Sequence, residues 1–283
     1  MLAVVDGGRK VTVLDAANEV VRCIDLKDVC TATVIVHGNN LIVEDDFTKT
    51  IRVIDMDAPE KVRTIGTPGV HLGDDQEPGG LFGSFTLAVF APWADEEAHT
   101  LLVADIWAER ISEFNVMSGE FIRWIHHAEL SYPSGIALWT PQTGGSSSVF
   151  ASSMGDPHRI CMFDHSSGAL VRSFGQGHVR TPGHMVVSPG KGDDQDFLLL
   201  VVDRGASRVV AFGLDCLPVR VFDGTIHPTG IAQRGGEVIV GVPDAECLHV
   251  FDLHTGTFIR TIDGVRLPLG MHVFWPKDEY ILK

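Results

Sequence analysis

An all-β fold, a six-bladed β-propeller of four-stranded antiparallel blades closed into a ring by the C-terminal strand, is what this 283-residue sequence predicts. Three observations carry that expectation. An apolar residue, an arginine, any residue and then Ile or Phe recur six times, at Arg22, Arg63, Arg123, Arg172, Arg220 and Arg260, which lie 41, 60, 49, 48 and 40 residues apart. Self-similarity of this kind marks a repeat architecture. Around each arginine the same short alternating segments return, and alternation over a few residues marks half-buried strands. Finally, 45% apolar against 21% charged residues can build a large core and does not read as disorder.

Taken outward from the ring axis, the first segment of a repeat, strand a, opens with Pro in four cases: "YPSGIAL" at 132, "TPGHMVV" at 181, "HPTGIA" at 227 and "LPLGMHV" at 267. Strand b ends in Asp at Asp6, Asp45, Asp105 and Asp203, while "SVFASS" at 148 and "EVIVGV" at 237 fill the same place without it. Strand c carries the large apolar anchors Leu14, Ile54, Phe114, Phe163, Phe212 and Phe251. A turn follows, often Ser-Gly or Thr-Gly as at Ser118-Gly119 and Thr255-Gly256, where Gly allows positive φ.

Strand d holds the arginine. On an outer edge a charge discourages pairing with another chain while its methylene stem covers apolar surface, so the six arginines are expected to be structural. The chain enters the first blade at strand b, and "GMHVFW" at 270 to 275 supplies the missing strand a. One domain over 1–283 is expected, with blades at about 1–28 plus 268–283, 29–66, 84–126, 132–175, 182–223 and 227–263. "EYIL" at 279 to 282 resembles a further strand b and would compete with "LAVV" at 2 to 5.

A formal net charge of −15, with acidic clusters at Asp74, Asp75 and Glu77, at Asp95 to Glu97, and at Asp193, Asp194 and Asp196, disfavours binding to phosphate backbones. RNA is therefore the least favoured partner. Five scattered cysteines with no C-x-x-C pair indicate neither a disulfide framework nor a zinc knuckle and suit a reducing, cytoplasmic setting. The longest apolar run, "FLLLVV" at 197 to 202, is strand length rather than membrane length, so no membrane partner is expected.

The segments "LLVADIWAERISEFN" at 101, "YPSGIALW" at 132 and "HPTGIA" at 227 resemble the NHL-repeat family, whose blade reads roughly Pro-x-Gly-apolar-Ala, an apolar-Ala-Asp strand, then an Arg-apolar strand. The resemblance covers nearly the whole chain. It is good in the four C-terminal blades and weaker in the first two, where Pro-x-Gly is lost at "CTATVIV" and "FGSFTLAV" lacks Pro. It implies a six-bladed propeller but leaves activity open, because the fold hosts unrelated functions. Relatives of that kind include protein-interaction and RNA-binding modules of ubiquitin ligases, kinase sensor domains and a few metal-dependent lyases. No RING-type cysteine set is present, so a ligase context would lie in flanking domains outside this chain.

In the usual propeller layout the d-to-a and b-to-c loops share one face, here called the top. His71, His126, His127, His158, His178, His184 and His227 fall on it or its rim, seven of thirteen. Three neutral imidazoles converging on the channel would suit Zn²⁺. His184 stands where other blades carry Gly135, Gly230 and Gly270, and with His227 and His71 it forms the candidate ligand set of a zinc lyase or hydrolase. Tyr132 is that reading's general base. The amidating-lyase relatives, which hold a channel zinc by histidines with a tyrosine and an arginine nearby, give the analogy its content.

Asp105 with Arg110 and Asp203 with Arg208 are expected to pair and brace their b-to-c turns. The two "GDDQ" stretches, at 73 and 192, fall on opposite faces and cannot form one site. No G-x-S-x-G, P-loop or complete G-x-G-x-x-G supports nucleophilic or nucleotide chemistry. The reading favoured by the residues is a non-catalytic scaffold without cofactor. It binds another protein or peptide on the top face, through the long loop at 67 to 84 with His71, and through Trp107 and His158.

Overall fold

The computed structural model describes residues 1–69, 77–83, 85–90, 99–141, 144–188 and 197–274. It forms six four-stranded antiparallel sheets arranged in a ring. Blade I joins Pro268–Val273 to Leu2–Asp6, Lys10–Leu14 and Val20–Asp25. Blades II to VI start at Val34–His37, Phe85–Phe90, Pro133–Trp139, Pro182–Ser188 and Ile231–Arg234, and end on the outer strands Val62–Ile65, Phe121–Ile125, Leu170–Phe174, Pro218–Phe222 and Phe258–Asp263. Closure is a strand pair made across the whole chain, with Leu2 opposite Val273 and Asp6 opposite Pro268. His71, both "GDDQ" stretches, the 95–97 cluster and "EYIL" lie outside the described residues.

Buried side chains sort into six clusters, each sandwiched between two neighbouring blades. This is why the blades close into a ring: each sheet is apolar on both faces and can cover them only with its neighbours. The strand c anchors Leu14, Ile54, Phe114, Phe163, Phe212 and Phe251 are all buried there. Each such side chain contributes about 1.5–3 kcal/mol. Toward the axis the backbones approach closely. A Cβ on Gly135 would stand 2.0 Å from the Gly183 carbonyl oxygen, and one on Gly230 2.3 Å from that of Leu269.

The recurring arginines do more than guard an edge. Arg63 Nη2 donates to the Val116 carbonyl at 2.6 Å, Arg172 Nη1 to that of Asp215 at 3.1 Å, and Arg220 Nη1 to that of Leu253 at 2.9 Å. Arg22 reaches Met56 in the same way, and Arg123 reaches His165 and Ser166. Every acceptor lies in the c-to-d turn of the following blade. Five of the six arginines are thus straps from one outer strand to the next blade. They supply a donor to carbonyls that the sheets leave unpaired.

The sixth departs from the pattern. Arg260 pairs within its own blade, with Glu237, at 3.1 Å through Nη2. At the closing seam the strap comes instead from Arg234, which donates to the Asp15 carbonyl at 3.0 Å and to Asn18 Oδ1 at 2.6 Å. Arg123 carries a second load. Its Nε bonds the buried Glu113 at 2.6 Å, and Glu113 also accepts from Thr100 at 2.8 Å and pairs with His165 at 2.8 Å. Burial pushes the Glu113 carboxyl up, but the bonds from His165 and Arg123 outweigh it and hold it at about 2.

Candidate functional site

Strand b Asp residues build the loops of the top face from beneath. Asp203 accepts from the Arg180 backbone N–H at 2.7 Å and from Arg208 Nε at 3.0 Å, while Arg208 donates to the His178 carbonyl at 2.9 Å. One buried carboxylate therefore ties the b-to-c turn to the incoming d-to-a loop. In blade III, Asp105 likewise accepts from the N–H groups of Phe82 and Ala108, at 2.7 and 3.2 Å. Its cross-strand neighbour Arg110 donates to the Gly80 carbonyl and lies 4.3 Å from the Trp124 ring centroid. Arg110 thus serves the loop and the indole as well as the field of Asp105. Burial pushes the Asp105 carboxyl up to about 6. Where blade IV has Ser153 instead of Asp, its hydroxyl makes the equivalent bonds to the backbone of Ser131.

On that scaffold one backbone position recurs with different side chains. Tyr132, Thr181, His227 and Leu267 each precede the Pro of strand a and each adopt left-handed φ, of 49, 51, 45 and 44°. A non-Gly residue in this region is costly, so the fold over-determines it. Its side chain turns to the top rim. Tyr132 and Leu267 are exposed there together with Phe47, Trp107 and Ile226. Phe47 is 65% and Trp107 53% exposed. Trp107 and Tyr132 meet edge to face with centroids 6.4 Å apart, so they form one aromatic ledge across the gap between blades III and IV.

On the same face lies a mouth cavity of ≈ 450 Å³, with Ile106, Met154, Leu267 and Leu269 on its wall beside Glu44, Asp46, Thr86, His184 and Arg204. It leads into the axial channel, ≈ 210 Å³, which is lined by strand a of all six blades. His184 sits at the junction of the two. Burial, with the Arg204 guanidinium close by, holds its imidazole down to about 4, so it is neutral at physiological pH.

The other candidate residues are dispersed by the fold rather than gathered. His227 is exposed on the rim, bonded to Asp244 at 2.6 Å, and does not line the cavity. His158 is half-buried in the b-to-c loop of blade IV. Tyr132 is exposed beside Trp107 and does not line the cavity that His184 lines. Among the described residues no three His, Cys, Asp or Glu side chains converge as a metal centre requires. Cys161, buried between blades, is pushed up to about 12 by that burial and is no nucleophile at neutral pH.

Sequence reasoning missed a histidine group at the opposite end of the channel. His37 Nε2 and His99 Nδ1 share a hydrogen bond at 2.9 Å, and His272 Nδ1 accepts from the Val36 N–H at 3.2 Å. Burial and the neighbouring His37 hold His272 down to about 4. These residues come from three blades, and no blade-by-blade alignment brings them together.

No protein-family model matches the sequence, and no curated protein matches it. Among solved structures, the chain is similar to one in the crystal structure of a nidogen/laminin complex, with a TM-score of 0.73 over 95% of this chain and 96% of that one. Sequence identity is 15%, so the likeness establishes the six-bladed propeller fold and nothing finer. Among the described residues no helix is long and apolar enough to cross a membrane.

Proposed function

We propose that the chain is a non-catalytic interaction module, of NHL-repeat type by its blade motif, that takes another protein or peptide on its top face. The observation that carries this reading is the set of exposed apolar side chains on the top-face loops, Phe47, Trp107, Tyr132, Ile226 and Leu267, on the same face as the mouth cavity, which Leu267 lines. Exposed apolar groups beside a concave mouth mark a binding surface, and Trp and Tyr are favoured as anchors there. The similar propeller was crystallised in a complex named for two proteins, which fits a partner-binding role for this architecture.

Selection of a displayed random-peptide library on the folded chain tests the reading. The winning peptides are titrated against Trp107→Ala/Leu267→Ala on the top and against Ile122→Ala on an outer strand. Affinity is expected to fall about tenfold or more for the top variant and to stay unchanged for the outer one. Loss confined to the outer variant would overturn the assignment of the top face.

A further inference from the structure

Resting on that reading of the top face, we infer that the channel mouth is a receptor for one carboxylate side chain of the partner, an Asp or Glu flanked by apolar residues, with Arg204 as its cationic partner and Thr86 beneath it.

Two residues on its wall carry polar groups without a partner among the described residues. Thr86 is 7% exposed and lines both the mouth and the channel, yet its Oγ1 has no hydrogen-bond partner among the described residues. A buried hydroxyl left unbonded is costly, and an acceptor brought to the mouth would relieve that cost. The guanidinium of Arg204 also has no hydrogen bond or ion pair among the described residues. Its position is nonetheless set, because its stem lies on Gly183, where a Cβ would stand 3.0 Å from Arg204 Cδ. The adjoining loop adds Arg180, whose carbonyl accepts from the Gly205 N–H at 2.8 Å and whose side chain is likewise unpaired among the described residues.

Among the other top-face arginines, Arg52 pairs with Asp45, Arg159 with Glu129 and Arg208 with Asp203, while Arg9 and Arg266 have no side-chain partner among the described residues and do not line the mouth. In a chain of net charge −15, a cation left without an acid on the cavity wall favours an acid brought by the ligand. His184, neutral beside Arg204, adds a hydrogen bond rather than a second charge.

Across the cavity, Glu44 accepts from the Ala32 N–H at 2.7 Å and Asp46 pairs with Lys49 at 2.7 Å. These carboxylates repel a polyanion, so the ligand carries one acid on the Arg204 side and not a run of phosphates. A peptide is favoured over a free carboxylic acid because the exposed apolar set extends beyond the cavity wall to Phe47, Trp107 and Ile226, out of reach of a small molecule.

The test uses the full chain and short fluorescein-labelled peptides with Leu-Glu-Leu or Leu-Asp-Leu cores, their Gln and Asn counterparts, a Leu-Lys-Leu peptide, and free succinate as competitor, read by anisotropy. Acidic cores are expected to bind at least about tenfold tighter than their amides. Thr86→Val is expected to weaken them several-fold, and Arg204→Glu to abolish their binding and admit the lysine peptide instead. Equal binding of acid and amide, indifference to Arg204→Glu, no binding of acidic peptides, or succinate competing as well as the peptides would each overturn the inference. If acid and amide peptides bind alike and both are lost in Trp107→Ala/Leu267→Ala, the carboxylate receptor falls while the top-face reading stands. Binding indifferent to Trp107 and Leu267 would overturn the top-face reading itself.

Discussion

The outer rim and the top face are built by the same six repeats in opposite ways. On the rim one residue type recurs and makes one bond: five arginines strap each blade to the next through a turn carbonyl. On the top face one backbone conformation recurs and the residue changes: Tyr132, Thr181, His227 and Leu267 share a left-handed φ and have no chemistry in common. A side chain needed at every seam belongs to the ring. A side chain that differs at equivalent places is free to suit a partner. Blade III shows the same division in its two buried carboxylates, since Glu113 in the strap network is held at about 2 and Asp105 beneath the top loops is raised to about 6.

The largest effect on this contrast is expected from Arg123→Ala. It removes a strap and leaves Glu113 buried with fewer donors, so chemical denaturation should register a loss of about 3 kcal/mol or more. Titrating stability against pH separates the two carboxylates. The Glu113 carboxyl is lower in the fold than its unfolded value of about 4.3, so its contribution, on the order of 3 kcal/mol, is present above that pH and disappears as pH falls toward 2. Asp105 has the opposite sign: raised above its unfolded value near 3.9, it makes the fold more stable as pH falls through about 6 toward 4. Glu113→Gln should flatten the acid limb and Asp105→Asn the neutral one.

Smaller effects follow from single straps. Arg220→Ala should cost about 1–2 kcal/mol by the same denaturation, because it deletes one charge-assisted hydrogen bond. Arg260→Ala, which has the same sequence motif but makes no strap, should cost no more than about 1 kcal/mol, the value of a partly exposed ion pair. Equal losses at these two sites would break the distinction between strap and motif. The smallest change is expected at the top. Thr181→Gly relieves left-handed strain of about 1–2 kcal/mol while adding about 0.5–1 kcal/mol of backbone entropy, so stability should stay within about 1 kcal/mol of the parent.

The ring, the strand order within each blade and the closure through residues 268–273 are legible in the sequence because they repeat, and repetition gives a register without a homologue. The strand c anchors are legible for the same reason. The straps are only half legible: the period marks the arginines as structural, but their acceptors are backbone carbonyls of the next blade, which carry no residue signature. The Asp203–Arg208 pair is readable from cross-strand spacing. Asp105 and Arg110 share that spacing, yet the nearby Trp124 ring and Gly80 carbonyl draw the guanidinium to other partners.

The histidines show where a linear reading stops. Loop alignment assigns His184 and His227 to the top, but it carries no radial coordinate. His227 precedes Pro at a left-handed corner and turns outward, whereas His184 replaces the glycine that lines the axis. The mouth itself, with Arg204, Thr86 and a wall drawn from several blades, is a property of the closed ring and has no counterpart in any single repeat.

The division between rim and face is tested most directly by measuring two quantities, unfolding free energy and the affinity of a selected top-face peptide, on two variants side by side. Arg220→Ala is expected to lose stability and keep the peptide's affinity, while Trp107→Ala/Leu267→Ala is expected to keep stability and lose about tenfold or more in affinity. Should the strap variant lose affinity while still folded, or the exposed top pair prove necessary for stability and dispensable for binding, the separation of the two regions would be contradicted.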